Sequence, residues 1–269
     1  MNNFFKIAAF TVVDHMKHKS FYVLLVVSIL FVLMIRGCYQ GEYIVNGKQI
    51  NNITLAWQVS KIAFQIIAVA MFFMVSMLAM KIFSRDQADG SLILFLSRPV
   101  FRWQYVLGRI TGTWALCLVF MFLLHLTIFL TVWTKTGEPI PGYLTASLVS
   151  SINLLFVIVC VCFLSLFMPD FISAVFTMGI LLVGFISDGG QQILNNEIVK
   201  SAFAPTVNTD PALWRILYPK VFMVQAYADS IISQSQLSPM GPFHPMLNLS
   251  VFILLIMTLL LISFNKKEI

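Results

Sequence analysis

The chain has 269 residues, of which 59% are hydrophobic and 10% charged, where an ordinary soluble domain carries about 25% charged residues. That balance excludes a soluble globular domain and describes a membrane protein. The net charge of +6 is read as a topology signal and not as a nucleic-acid signal.

Residues 2–19 come first. Helical periodicity puts Phe5, Ala8, Ala9, Val12 and Met16 on one face and Asn3, Asp14, Lys17 and His18 on the other. This predicts an amphipathic helix within residues 1–20, lying along the cytoplasmic surface of the membrane. The plainer alternative is that it extends the first span into water. Lys6, Asp14, Lys17 and Lys19, with no small-residue cleavage site after the first apolar run, argue against a cleavable signal peptide, so the first span is expected to stay in the mature protein.

A hydrocarbon core of about 30 Å takes about 20 helical residues. Apolar runs lie near 21–35, 62–83, 105–133, 143–168, 171–186 and 246–264, which predicts six transmembrane helices. The first and fifth runs are short and are expected to borrow flanking residues, His15 to Ser20 and Asp188 onward. Continuous apolar character without alternation predicts helices over barrel strands. Ten of the seventeen Lys and Arg fall in 1–20, 81–109 and 265–269, so the positive-inside rule places these segments, the short 168–171 turn and both termini in the cytoplasm. The expected fold class is an all-α polytopic membrane protein: one permease-like transmembrane domain over 1–269, with an N-terminal interfacial helix and a cytoplasmic loop at 84–104 between the second and third spans.

Outside the spans, 36–60 is polar, and "VNGK" (45–48) reads as the turn of a small hairpin. Residues 188–244 form the largest extracytoplasmic segment. Within it, "PALWRILYPKVFMVQAYADSII" (211–232) is aromatic and aliphatic but interrupted by Arg215, Pro219, Lys220 and Asp229. It predicts one or two short helices at the outer interface, with Trp214, Tyr218 and Tyr227 at headgroup level.

Ionisable groups inside a membrane are costly and mark ion-coupled function, and these spans hold almost none. His125 is the strongly polar group near mid-membrane, with Gln65 and Asn153 as neutral partners in other helices. It reads as an uncharged histidine bonding across helices rather than a proton relay, while Lys81, Asp170 and Asp188 are placed at helix ends. Energy for any transport is therefore expected from elsewhere. "GEYIVNGKQ" (41–49) is not a phosphate loop, because five residues separate its glycines where four are needed and Gln49 stands where Ser or Thr must bind magnesium. No metalloprotease or nucleophile-elbow motif occurs. Met71, Met74, Met77 and Met80 offer soft ligands for Cu(I), but steps of three carry them around the helix, so they read as packing. Cys160 and Cys162 point roughly 200° apart on a helix, and Cys38 and Cys117 stand alone, so neither a metal site nor a disulfide framework is implied.

The stretch "RDQADGSLILFLSRPVFRWQYVLGR" (85–109) is different. Asp89-Gly90 signals a turn, Ser91 is a good N-cap, and Pro99 ends a helix by Arg98. "LILFL" (92–96), too short to cross a bilayer, then lies in a short helix over about 91–98 whose apolar surface needs a partner. Arg98, Arg102 and Arg109 anchor the return into the third span. The plainer alternative is a re-entrant loop or a snorkelling anchor.

These residues resemble the membrane permease subunits of type-2 ABC exporters. "DGS" (89–91), "LSRPVFR" (96–102) and "LGR" (107–109) match, in order and spacing, that family's acidic residue with Gly-Thr or Gly-Ser, apolar stretch, Pro-Val, basic residue and Leu-Gly-Lys. Ser91 replaces the commoner Thr and Arg109 the Lys. The N-terminal helix, the six spans, the "MPD" turn (168–170) and "LYP" (217–219) also look like the family, and the outline is broadly similar to the branch serving copper-site maturation of nitrous oxide reductase. The resemblance implies that Asp89, Gly90, Ser91, Leu92, Leu94, Phe95 and Leu96 form a coupling helix on a separate cytoplasmic ABC ATPase subunit, with Arg98, Pro99 and Arg102 setting its angle. It implies two permeases, identical or not, on two ATPase copies in a bacterial inner membrane. ATP and Mg would stay on the partner, so this chain would need no cofactor and perform no catalysis. Membrane lipid and an extracytoplasmic partner protein for 188–244 complete the expected contacts, and nucleic acid is not among them. The alternative is a non-transporting membrane scaffold or assembly factor that binds an extracytoplasmic partner.

Overall fold

The computed structural model describes residues 3–17, 19–38, 44–45, 48–49, 52–88, 100–194, 218–235 and 243–266. In chain order these form α1 (Asn3–Lys17), α2 (Lys19–Cys38), β1 (Ile44–Val45), β2 (Lys48–Gln49), α3 (Asn52–Ala79), α4 (Ile82–Ala88), α5 (Arg102–Thr136), α6 (Tyr143–Leu164), α7 (Asp170–Leu194), α8 (Val221–Ser233) and α9 (Pro245–Lys266). The two short strands pair antiparallel, Ile44 with Gln49 and Val45 with Lys48, and the turn expected between them falls on residues 46 and 47, outside the described residues.

Among the described residues, five helical stretches are long and apolar enough to cross a membrane: Ala56–Asp86, Arg102–Thr136, Tyr143–Leu164, Asp170–Gln192 and Pro245–Lys266. The sixth expected span, 21–35, lies within α2 and is not one of the five. His15 lies in α1 and Ser20 in α2, and residue 18 between these helices is outside the described residues. The first of the five joins α3 to α4 across Met80 and Lys81. The backbone bonds Met80 N–H to Ser76 O (3.1 Å) and Arg85 N–H to Lys81 O (3.2 Å) flank the junction on either side.

The centre of the bundle is α6, which packs against α3, α5, α7, α8 and α9. A helix apolar on every side belongs in a protein core or a membrane, and here Leu154, Val157, Ile158 and Val161 are all fully buried. Its N-terminal half carries Ala146, Ser147, Ser150 and Ser151, small residues that let neighbouring helices come close. The hydroxyls and amides there bond across helices: His125 Nδ1 meets Ser147 Oγ at 2.8 Å, Ser150 donates to Gln225 Oε1 at 2.7 Å, and Asn153 Nδ2 donates to Val221 O at 3.3 Å. His125 therefore bonds between helices as expected, but its partner is Ser147 rather than Gln65 or Asn153. Its ring also stacks on Phe64 at 4.5 Å.

The α1 face turned into the protein is Ile7, Thr11 and His15. Most of the predicted apolar stripe faces away: Phe5 and Met16 are 59% and 45% exposed. The methionines scatter as their spacing requires, with Met71 and Met74 buried and Met77 exposed.

The outer segment departs from expectation. α8 starts opposite Asn153, in the middle of α6, and runs toward the N-terminal end of α6, so that Gln225 meets Ser150 and Ile231 lies against Gly142, the residue before α6. Tyr218 bonds the carbonyl of Ile180, ten residues into α7. The start of α8 is thus buried within the bundle instead of lying across its outer end. Asp188 is also no terminal residue: it lies six residues before the end of α7, buried, with Lys220 Nζ at 2.9 Å.

Candidate functional site

Residues 89–99 lie outside the described residues, and with them Asp89, Gly90, Ser91, Leu92, Leu94, Phe95, Leu96, Arg98 and Pro99. What the structure describes is the base from which that loop leaves and to which it returns. Asp86, three residues before Asp89, accepts a hydrogen bond from the Tyr105 hydroxyl and lies 2.5 Å from Arg109 Nη2. The chain therefore goes out and comes back at one place, where α4, α5 and α1 converge.

The convergence is an ion-pair network. Arg85 donates through Nη1 and Nη2 to both oxygens of Asp14, at 3.1 and 3.2 Å. Such bidentate pairs combine charge with fixed geometry. Arg109 Nη1 approaches the same carboxylate at 3.5 Å, so two guanidinium groups and two carboxylates neutralise one another. The side chains of Arg109 and Asp86 are only 4% and 6% exposed. Burying such charges is tolerable when each is paired and hydrogen-bonded, and costly when one partner is removed. The Arg109 guanidinium also lies over the Phe10 and Tyr105 rings, at 5.3 and 5.9 Å from their centroids, positions that favour a cation.

Close backbone approach makes the network possible. A Cβ at Gly108 would sit 2.8 Å from Ile7 Cγ2, and one at Gly112 would sit 2.6 Å from Ala8 O. The Gly-x-x-x-Gly spacing puts both glycines on one face of α5, and α1 lies against that face. On the next residue, Thr113 Oγ1 donates to Arg109 O at 3.0 Å. The same oxygen lies 3.0 Å from His15 Nε2, which ties α1 to α5.

The C-terminal end of α9 joins the same base. Phe264 lies 5.4 Å from Phe83 and 5.9 Å from Tyr105 between ring centroids. Arg102 Nη1 donates to Asn265 O at 3.2 Å, a cation at the negative end of a helix. Arg102 thus anchors the start of α5 as the sequence suggested. Arg109 does not reach the surface to do so and is instead the buried centre of the network.

The chain matches the ABC-2 family transporter protein profile over residues 6–269. It belongs to that family. No curated protein matches it significantly. An ABC-2 membrane protein is a permease subunit of an ABC transporter, generally without enzymatic activity of its own, and family membership implies an ABC ATPase partner. The five apolar stretches and the family together make this a multi-pass membrane protein.

Sequence reasoning singled out the loop and missed its base: Asp14, Arg85, Asp86, Tyr105, Gly108 and Gly112. Two signals were present. Arg109 falls within the otherwise apolar run 105–133, where an ionisable side chain needs a partner. The glycine spacing of "GRITG" (108–112) is a helix-contact pattern.

Proposed function

We propose that this ABC-2 family chain is the permease subunit of an ATP-driven exporter, in which the loop at 84–104 carries a short coupling helix over about 91–98 docked on a separate cytoplasmic ATPase. Two permeases, identical or not, sit on two ATPase copies that hold ATP and Mg. Both termini are cytoplasmic, the membrane is the bacterial inner membrane, α2 is a sixth span, and α1 lies at the cytoplasmic interface.

One observation carries the reading: the loop's two ends, α1 and α9 are tied into one cluster, buried at Asp86, Tyr105, Arg109 and Phe264 and half-buried at Asp14 and Arg85. A rigid base of this kind passes a displacement of the loop to α1, α4, α5 and α9 as a unit, which suits rigid-body rearrangement of packed helices. A loop that merely anchored the chain would not need paired buried charges at its root.

The test is purification of the tagged protein from its native membranes in mild detergent, with its partners identified by mass spectrometry. An ABC ATPase is expected to co-purify and to be lost when Leu94→Asp and Phe95→Asp are combined, while the chain stays inserted. Retention of the ATPase by that variant would sink the docking role. A stable extracytoplasmic complex with no ATPase would favour the scaffold reading.

A further inference from the structure

α1 packs on α5 through Ile7, Thr11 and His15, at the level of Gly108, Gly112 and Thr113. Those α5 residues follow Arg102, the start of a membrane-crossing stretch, by about 9 to 16 Å at the helical rise. α1 is therefore held at the edge of the membrane-spanning part of the bundle. Its outer side, turned away from α5, meets the boundary between headgroups and acyl chains.

That outer side has two parts. At about 100° per residue, Phe5, Met16, Ala9 and Val13 follow one another within an arc of about 80°, and all four are exposed. Lys6 and Lys17 come next, about 20° and 40° beyond Val13, and both are exposed as well. Eleven helical steps set these two lysines about 16 Å apart along the axis. An apolar stripe is thus edged, on one flank, by a cation near each of its ends. Phe10, the next residue round, lies under the Arg109 guanidinium.

No negative charge on the helix offsets the two cations. Asp14 is the sole carboxylate of α1, and Arg85 and Arg109 neutralise it on the side toward the bundle. Neither Lys6 nor Lys17 has an ion-pair partner among the described residues. The complement to such a face is an acyl layer beneath anionic headgroups. The stripe enters the boundary, and the ammonium groups stay in the headgroup layer with their stems along apolar surface. A zwitterionic headgroup serves the stripe equally well but supplies no net counter-charge.

We propose that the outer face of α1 is a binding surface for anionic phospholipid headgroups of the cytoplasmic leaflet, held by Lys6 and Lys17 beside the stripe of Phe5, Val13 and Met16. The lipid contact and the ion pairs of Asp14 then hold different sides of one helix. The inference rests on the interfacial placement of α1 proposed above, and adds the lipid class and the residues that select it.

The experiment reconstitutes the full-length protein in phosphatidylcholine vesicles carrying a trace of either a phosphatidylglycerol or a phosphatidylcholine probe, photoreactive on the acyl chain near the headgroup. Labelled peptides are mapped by mass spectrometry. A lysine near an anionic surface contributes about fivefold. Peptides within 5–16 should therefore prefer the phosphatidylglycerol probe about 25-fold, falling to about fivefold in Lys6→Gln or Lys17→Gln and to none in the double variant. Lys6→Arg with Lys17→Arg should keep the full preference. The α9 peptide containing Leu254 and Leu255 should take both probes alike. Phosphatidylcholine labelling of 5–16 should be the same in every variant, which shows that the stripe is still in place. Equal labelling of 5–16 by the two probes would overturn the proposal while leaving α1 at the interface. No labelling of 5–16 by either probe would remove the interfacial placement and the proposal together. A preference that survives in the double glutamine variant would also refute it, because other residues would then hold the anion.

Discussion

Gly112 and Ala8 are in backbone contact: a Cβ added to Gly112 would lie 2.6 Å from the carbonyl oxygen of Ala8. Through this approach an N-terminal helix with an exposed apolar stripe becomes part of the bundle, and Asp14 is brought within reach of Arg85 and Arg109.

Gly112→Ala should therefore push α1 off α5. Overpacking of a well-fitted contact costs about 1–3 kcal/mol, and the loss should appear as a lower Tm in detergent and faster proteolysis of α1. Gly179→Ala is the matched control. No neighbouring atom lies within 4 Å of a Cβ there, so replacing a helical glycine by alanine should be neutral or gain up to about 1 kcal/mol. Equal effects at the two sites would argue against the contact.

The Arg109–Asp86 pair should behave as a coupled unit. Asp86→Leu or Arg109→Met alone leaves a buried charge without its main partner, at a cost of about 3–5 kcal/mol. The double variant should be less damaged than the sum of the two, as measured by a double-mutant cycle on thermal unfolding. Strict additivity would show that the two side chains do not act on each other.

Tyr105→Phe keeps the ring against Phe83 and Phe264 but removes the donor to Asp86. A hydrogen bond to a charged group is worth about 1.5–3 kcal/mol, so a stability loss of that size is expected while insertion is unchanged. In the Asp86→Leu background the same substitution should have almost no effect.

Lys220→Met leaves the Asp188 carboxylate buried without its cation and should loosen the inner end of α8. Labelling of a Ser230→Cys reporter by a membrane-impermeant maleimide is expected to quicken, and adding Asp188→Leu should slow it again. A labelling rate unaffected by either substitution would mean that the pair does not hold α8 in place.

Much of this molecule was legible before folding. Continuous apolar runs can be satisfied in a membrane only by helices, so four of the five membrane-crossing stretches fall within a few residues of their expected places, and the fifth, Asp170–Gln192, extends past its apolar run as anticipated. His125 was read as an uncharged histidine bonding across helices because an ionised group near mid-membrane is costly. The hairpin at 44–49 followed from its Asn-Gly turn. The family was legible too, through the spacing of the 89–109 motif.

Which helix faces meet was not legible, because a span apolar on all sides carries no period to say which side is inward. Residues 14, 85, 86, 105 and 109 are scattered along the chain, and charge pattern alone could not pair Asp14 with Arg85 rather than leave it in solvent on an interfacial helix. The inward course of α8 was hidden for a related reason: Lys220 and Asp188 look like interfacial charges until each supplies the other's counter-ion. Local sequence determined where helices form, since that depends on propensity and hydropathy over a few turns. The tertiary structure decided which polar groups could be buried, since each needed a partner supplied by a distant part of the chain.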